Sequence, residues 1–539
     1  MEKSGEYGVR WGFVNSNTVI VTQLPRGTLH NNPFLPLLDR LGWLKIGRLA
    51  NGVLVYENPK ATLPHPSTPS PTRPATAFAW GVVPMLSFVA TLSLAGLRVY
   101  PVESERIICA VHSLAVSIIP LSLCFWFFQT IVEFLHPRVY VTYSDASFFF
   151  SDALVLFAIS LWLSTRVLKS PSEETIGSNS VFLLQPLPFI FALVWLCALS
   201  ILWSTNRNTS IYVFMHLGLT FLLILSLRDR HTLWNFAMYG LCVVLAIEMI
   251  TGFVSFALQS TSFLSAFEMN WPGVLDPSTR GASVVQLENG FRILRAYGTL
   301  PHPNILGGII LVALLGPANI FLTSKKPNYP AVIFFSLGIV LLFITFSRSA
   351  WLGFALSLGI LILKSKYLDR SRLMLFTIAS ILTLTLTFLP LRQLVEARTA
   401  NSSAAKVEEF SFIGRAWLSR EAIQMIREHP LKGVGIGSFV IELSKRAGEG
   451  YIIEPVHNIF LLSGSELGIP GLLILAGLFV VMAFNISKAR TPRAILASAT
   501  LTGLGIISLF DHYLWTLAPG RVLFAFTLCL WLGAIEHGA

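Results

Sequence analysis

Apolar runs long enough to cross a bilayer recur through most of the chain, at roughly 77–97, 107–135, 148–168, 181–203, 211–227, 234–256, 301–323, 331–346, 350–363, 373–390, 457–487, 494–510 and 519–535. A helix of about 20 apolar residues spans the hydrocarbon, because lipid tolerates only a backbone whose hydrogen bonds close internally. The runs therefore restrict the chain to an all-α polytopic membrane fold of about 12–13 transmembrane helices. Composition agrees: 54% of residues are hydrophobic and only 12% charged, about half the charged share of a soluble domain. The run 350–363 is short and is expected to extend back through Ser347. The run 457–487 is long and contains Gly468-Ile469-Pro470, so a bend or a tilt is expected.

Residues 1–76 are different in kind. Thr18–Thr22 and Gly52–Tyr56 read as short strands, the stretch near Leu37–Leu41 as a helix, and the Pro-, Ser- and Thr-rich Lys60–Pro74 as a linker. The expected division is a small non-membrane α+β appendage over 1–76 and a polytopic membrane domain over 77–539, with no signal-peptide pattern at the start. The five cysteines, Cys109, Cys124, Cys197, Cys242 and Cys529, all lie in apolar runs without a CxxC pair, so they read as small buried hydrophobes.

The formal net charge of +11 is what the positive-inside rule produces when Lys and Arg gather in cytoplasmic loops. Arg166 and Lys169, Arg228-Asp229-Arg230, Lys325-Lys326, Lys364 to Arg372 and Lys488 to Arg493 mark that side. Two long loops, about 257–300 and 391–456, then fall on the outer side, as do residues 1–76 despite their several basic residues.

The chemistry-bearing residues collect beside the two outer loops. Arg280, Arg292 and Arg295 lie in the first. Arg292 and Arg295 would share a face on a helix, and guanidinium groups offer phosphate oxygens paired donors that stay charged. Asn304, behind Pro303, can cap the helix that follows. The second loop carries an amphipathic helix, Arg415 to His429, with Gly414-Arg415 at its expected start, where free amides could join the arginine in holding an anion. Arg348 ends a span on the same side. His457-Asn458 opens the next run, and a histidine there can exchange protons near neutral pH. Nine positions on, Glu466 is a carboxylate within an apolar run. Asp511-His512 reads as a tight outer turn with a structural role. Gly433-Val-Gly435-Ile-Gly437 lacks the Lys-Ser/Thr of a nucleotide loop and reads as a turn. No stretch of the outer loops has zinc or magnesium ligand spacing, so cationic side chains are expected to act without a protein-held metal or other cofactor.

Arg295-x-x-Gly298 with Pro303-Asn304, Ser347-Arg348-Ser349, Gly414-Arg415 with Trp417, His429-Pro430-Leu431 with Gly433-Val-Gly435, and His457-Asn458 with Glu466-Leu-Gly468 resemble the O-antigen ligase and O-antigen polymerase (Wzy-type) family. Asp511 with Trp515 and Gly520 fits the same pattern. The resemblance covers most of 107–539 and is densest from about 290 to 475. It implies a GT-C-like bundle in the cytoplasmic (inner) membrane, with its active site facing the periplasm or cell exterior. The implied reaction moves a glycan from an undecaprenyl-pyrophosphate carrier to a hydroxyl of a glycolipid or saccharide acceptor, without metal and with inversion. It implies that Arg295 and Arg415 hold the pyrophosphate and that His457 orients or deprotonates the acceptor. Arg292, Arg348, Asn304, Asn458 and Glu466 follow as substrate-binding candidates, and nucleic acid is not an expected partner. The alternative is a transporter or flippase for polyprenyl-linked or other anionic solutes. Midplane charges and repeated broken helices would favour it, and the sequence shows few of the former and no clear inverted repeat.

Overall fold

The computed structural model describes residues 10–15, 18–22, 44–48, 54–57, 101–126, 129–134, 145–168, 185–228, 233–267, 274–279, 281–287, 289–399, 406–447 and 453–536. The chain divides into two compact units, Met1–Arg73 with Lys445–Ile453, and Pro74–Ser444 with Glu454–Ala539. The first contains an antiparallel sheet of β1 (Arg10–Asn15), β2 (Thr18–Thr22), β3 (Leu44–Arg48) and β4 (Leu54–Glu57) in the order β1-β2-β4-β3. Two of these strands fall where alternation placed them. The helix near Leu37–Leu41, the linker and the span at 77–97 lie outside the described residues.

The second unit is mostly helical: α1 (Pro101–Ser122), α2 (Phe150–Leu168), α3 (Pro186–Ser200), α4 (Arg207–Arg228), α5 (Leu233–Leu258), α6 (Pro303–Ala313), α7 (Leu315–Thr323), α8 (Tyr329–Ile344), α9 (Arg348–Leu363), α10 (Arg370–Thr399), α11 (Lys406–Glu428), α12 (Phe439–Arg446), α13 (Ile459–Lys488), α14 (Pro492–Ser508), α15 (Tyr513–Thr516) and α16 (Ala518–Glu536). Among the described residues, six helical stretches are long and apolar enough to cross a membrane, α6 and α7 counting as one, and several apolar helices are shorter. Large apolar side chains on α10 face outward, with Leu386 60% and Leu389 61% exposed, as suits a lipid-facing surface.

Three expectations change. The run 107–135 is not one span: its helix gives way after Ser122 to a 3-10 turn, and Gln129–Phe134 forms β5, paired antiparallel with β6 (Asp145–Phe149). The β-branched run Thr130-Ile131-Val132 suits an extended partner better than a helix. The loop expected from 391 is helical at its start, because α10 continues through Pro390 to Thr399. The helix expected at Arg415 begins at Lys406.

Local chemistry sets the helix ends. Asn458 caps α13, its Oδ1 accepting from the backbone N–H of Phe460 and Leu461, and Thr491 and Asn328 cap α14 and α8 ahead of a proline. The expected bend in α13 is present. Gly468 adopts φ 74 and ψ −173, a conformation essentially limited to glycine. The bend frees carbonyls that the Gly433–Gly437 turn then uses, Val434 N–H donating to Ser465 O at 2.9 Å and Gly435 N–H to Glu466 O at 2.8 Å, and it frees the Ile469 N–H, which donates to Pro430 O at 2.7 Å. The glycine run is thus a turn docked on a broken helix. α9 packs along α14, where Gly353 and Gly503 leave so little room that a Cβ on Gly353 would sit 2.8 Å from the Gly503 carbonyl oxygen.

The antiparallel course of α6 through α16 gives the bundle two unlike ends. Lys325-Lys326, Lys364 to Arg372 and Lys488 to Arg493 share one end. The starts of α6, α9, α13 and α16 and the finishes of α8, α10 and α14 share the other.

Candidate functional site

At that second end a hairpin of β7 (Val284–Gln286) and β8 (Arg292–Leu294) delivers Arg295 into the protein. The side chain is 2% exposed. Its Nε donates to Thr345 O at 2.6 Å, Nη1 to Ser283 Oγ at 2.7 Å and Nη2 to Asn304 Oδ1 at 2.7 Å. The turn after α8 supplies two successive carbonyls to two arginines. Thr345 holds Arg295, and Phe346, with φ 48, turns its carbonyl to Arg398 Nε at 3.2 Å. The carbonyl end of a helix favours cations, so α8 supports both.

Asn304 links this arginine to a carboxylate. Its Nδ2 donates to Asp511 Oδ2 at 2.9 Å. Asp511 Oδ1 accepts the backbone N–H of His512 at 2.8 Å, and His512 Nδ1 lies 2.9 Å from Thr516 Oγ1. The His457 and His512 rings meet edge to face at 5.0 Å. The His457 Nδ1 is buried without a hydrogen-bond partner among the described residues. His302 caps α6, its Nδ1 accepting from Asn304 N–H at 3.1 Å.

Arg295, Arg348, Arg398 and Arg415 lie close enough to feel one another's charge. Burial first, then Arg415 and Arg348, lower the Arg295 pKa to about 9 against the help of Tyr297 and Asp511, which leaves it cationic at neutral pH. Burial, His512 and Arg415 push His457 down to about 3, with Asp511 opposing. His302 falls to about 3 from burial, Arg295, His457 and Arg415, again against Asp511. His512 is lowered too, by burial and Arg415. Burial alone would raise Asp511, but His512, His457, His302 and the Asn304 amide outweigh it and keep it ionised. Glu454, just before His457, is raised to about 7 by burial and Asp511, against Arg415. The arrangement is a cluster of arginines beside neutral imidazoles, organised by one buried carboxylate.

The residues singled out from sequence fall in different places. Arg295, Asn304, Arg348, Arg415 and His457 come together. Arg348 begins α9, exposed, its Nη1 3.4 Å from the carbonyl oxygen of Arg398. Arg415 is half-buried and well inside α11, so its charge, and not free amides at a helix start, is what it brings. Arg292 lies on a strand, where positions three apart face opposite sides, so the shared helical face is absent. Its Nε is buried without a partner among the described residues. Asn458 is occupied with capping, and its Nδ2 donates to Leu509 O at 3.1 Å. Glu466 is buried, accepting from Trp515 Nε1 at 2.9 Å, and Arg280 lies outside the described residues. Sequence reasoning passed over His302, Arg398 and Glu454 and gave Asp511-His512 only a structural turn. The one available signal was a charged, titratable pair between two apolar runs. Among the described residues no three His, Cys, Asp or Glu side chains are placed to share a metal ion.

Fold and site together define a mostly helical membrane protein with an arginine-lined site at one end of its bundle. Residues 333–476 match the family model described as O-Antigen ligase. The matched segment carries Arg348, Arg398, Arg415, Glu454, His457 and Glu466. No curated protein matches the chain.

Proposed function

We propose that the chain is a glycosyltransferase of the O-antigen ligase or polymerase type. It moves a glycan from an undecaprenyl-pyrophosphate carrier to an acceptor hydroxyl on the outer side of the cytoplasmic membrane. The carrying observation is the gathering of Arg295, Arg348, Arg398 and Arg415 around one site beside a neutral His457. The basic loops at the opposite end, which the positive-inside rule assigns to the cytoplasm, support this sidedness.

In this reading the guanidinium groups hold the pyrophosphate. Arg295 is fixed by three hydrogen bonds to neutral oxygen atoms, so its remaining N–H groups are preorganised for an anion. The acceptor oxygen attacks the anomeric carbon as the bond to the pyrophosphate oxygen breaks, with inversion. The leaving pair of electrons stays on pyrophosphate, whose charge the arginines stabilise without a metal. The acceptor proton passes to His457. Burial is the main cause of the low His457 basicity and Arg415 the least, so a pyrophosphate held at Arg415 relieves only a minor part of it.

The test uses the purified full-length chain, an undecaprenyl-pyrophosphate-linked oligosaccharide, EDTA and a panel of lipid-linked and lipid A core acceptors. Longer glycans from donor alone identify a polymerase, and transfer only to a separate acceptor identifies a ligase. Movement of the lipid-linked oligosaccharide across a vesicle bilayer, with no pyrophosphate release, would contradict the proposal and favour a flippase.

A further inference from the structure

Among the described residues, the non-glycine positions with positive φ are Gln259, at 51°, and Phe346, at 48°. Both stand beside Arg295. Phe346 follows Thr345, whose carbonyl accepts from Arg295 Nε. Gln259 follows the last residue of α5 and grips the residue before Arg295. Its Oε1 accepts the Leu294 N–H at 2.7 Å, and its Nε2 donates to Leu294 O at 3.2 Å. The side-chain amide thus pairs with both backbone groups of Leu294, as a neighbouring strand would. Ser260 N–H reaches back to Ser255 O at 3.2 Å. That bond makes Gln259 the left-handed residue of a Schellman ending, a place usually held by glycine. A glutamine there is strained, and strain of this kind persists where a site uses the side chain.

The same helix holds the next residues of the segment. Ser255 Oγ accepts the Tyr297 N–H at 3.2 Å. Glu248 is fully buried; its Oε2 accepts the Thr299 N–H at 3.0 Å and its Oε1 the Thr299 hydroxyl at 2.5 Å. Positions 248, 255 and 259 fall on one helical face. From 259 back to 248 the helix covers about 16 Å, and an extended chain from Leu294 to Thr299 covers about the same. The segment after β8 therefore runs along α5. Its other donors are met from elsewhere, Arg295 N–H by Ser283 O at 3.2 Å and Ala296 N–H by Ile344 O at 3.1 Å. Gly298, with φ 61°, passes so close that a Cβ would sit 2.1 Å from Glu248 Oε2. A carboxylate buried within an apolar span is a functional candidate by its cost alone, and this one fixes the stretch that carries Arg295.

We propose that Gln259, with Glu248 behind it, is a positioning residue for Arg295, so that α5 sets how far the guanidinium reaches toward a bound pyrophosphate. Every nitrogen of that guanidinium is already bonded to a fixed oxygen. Its placement therefore follows the backbone, and the backbone follows the grip on Leu294. Neither residue touches the reacting atoms. The inference rests on the glycosyltransferase reading, since it takes pyrophosphate as the ligand of Arg295.

The test is a double-mutant cycle on the full chain in nanodiscs. It reads affinity for inorganic pyrophosphate and for undecaprenyl pyrophosphate by microscale thermophoresis. Gln259→Gly removes the grip and the strain together, so the melting temperature is expected to hold or rise. Affinity is expected to fall about tenfold, the low end of what a hydrogen bond to a charged group contributes. A merely structural role would instead lower the melting temperature along with the affinity. Glu248→Gln acts on the same segment, keeps one acceptor for Thr299 and is expected to weaken binding about threefold. It serves if Gln259→Gly does not fold. In an Arg295→Ala background neither substitution is expected to weaken binding further. Equal losses in both backgrounds, or none in either, would overturn the positioning role. Binding of neither pyrophosphate by wild type would contradict the reading of the arginine cluster, and the positioning role with it. The expected cycle in a protein that transfers no glycan would support the role and contradict the transferase reaction.

Discussion

Asn304 donates its side-chain amide to Asp511 at 2.9 Å, joining the start of α6 to the turn after α14. The opposite face of the same amide accepts from Arg295 at 2.7 Å. One neutral residue thus sets the distance between a buried cation and a buried carboxylate, and keeps them from closing into an ion pair that would spend the arginine's charge.

Asn304→Ala should therefore do more than remove two hydrogen bonds. It leaves Arg295 and Asp511 short of partners at a buried site, at a cost of about 1–3 kcal/mol. Transfer is expected to fall about tenfold or more as Arg295 loses its fixed position. Thermal unfolding in detergent and initial rates of pyrophosphate release check the two effects. Unchanged rates with lowered stability would confine Asn304 to a structural role.

Arg398 separates charge from geometry. Arg398→Lys keeps the cation but cannot reproduce the Nε hydrogen bond to Phe346 O. Arg398→Ala is expected to slow transfer by roughly 100- to 1,000-fold, the range for removing one transition-state donor, with the lysine variant between it and wild type. Equal rates in all three proteins would remove Arg398 from the site.

Stability should fall as pH drops from about 6.5 toward 4.5. His302, His457 and His512 are all held below their ordinary pKa in the folded protein. The unfolded chain therefore binds protons in this window that the folded chain does not, and acid favours unfolding. Glu454, raised to about 7, works the other way, because the folded protein takes up a proton there before the unfolded chain does. Glu454→Gln should steepen the loss of melting temperature with acid, and His457→Asn should flatten it.

Gly468→Ala should cost about 1–3 kcal/mol, because the backbone conformation there admits only glycine without strain. A Cβ would also meet the Pro430 carbonyl oxygen at 2.7 Å. Thermal melts check this, and a variant as stable as wild type would mean that α13 straightens without loss.

How much of this was legible in the sequence depended on the kind of signal. Span positions from 301 onward follow from hydropathy, and the bend at Gly468 from a glycine beside a proline in an apolar run. The strand Gln129–Phe134 was hidden, because a short apolar run flanking a helix has no period that separates it from more helix. Arg295 and Arg415 could be picked out as basic residues near outer loops. Arg398 lay in the expected outer loop too, but nothing in its sequence setting distinguished it from Arg392, Arg420 or Arg427, and Asp511 could not be weighted until Asn304 and the histidines were seen around it. Cluster membership is a tertiary property, set by helix ends that lie far apart in sequence.

The central claim is that the arginine cluster releases a polyprenyl pyrophosphate by glycan transfer. The most direct measurement is the rate of undecaprenyl pyrophosphate release, in EDTA with acceptor present, by wild type, Arg295→Ala and Arg415→Ala in folded, detergent-purified form. The account predicts steady release by wild type and a loss of at least about 100-fold in each variant. Release by both variants at the wild-type rate would contradict it.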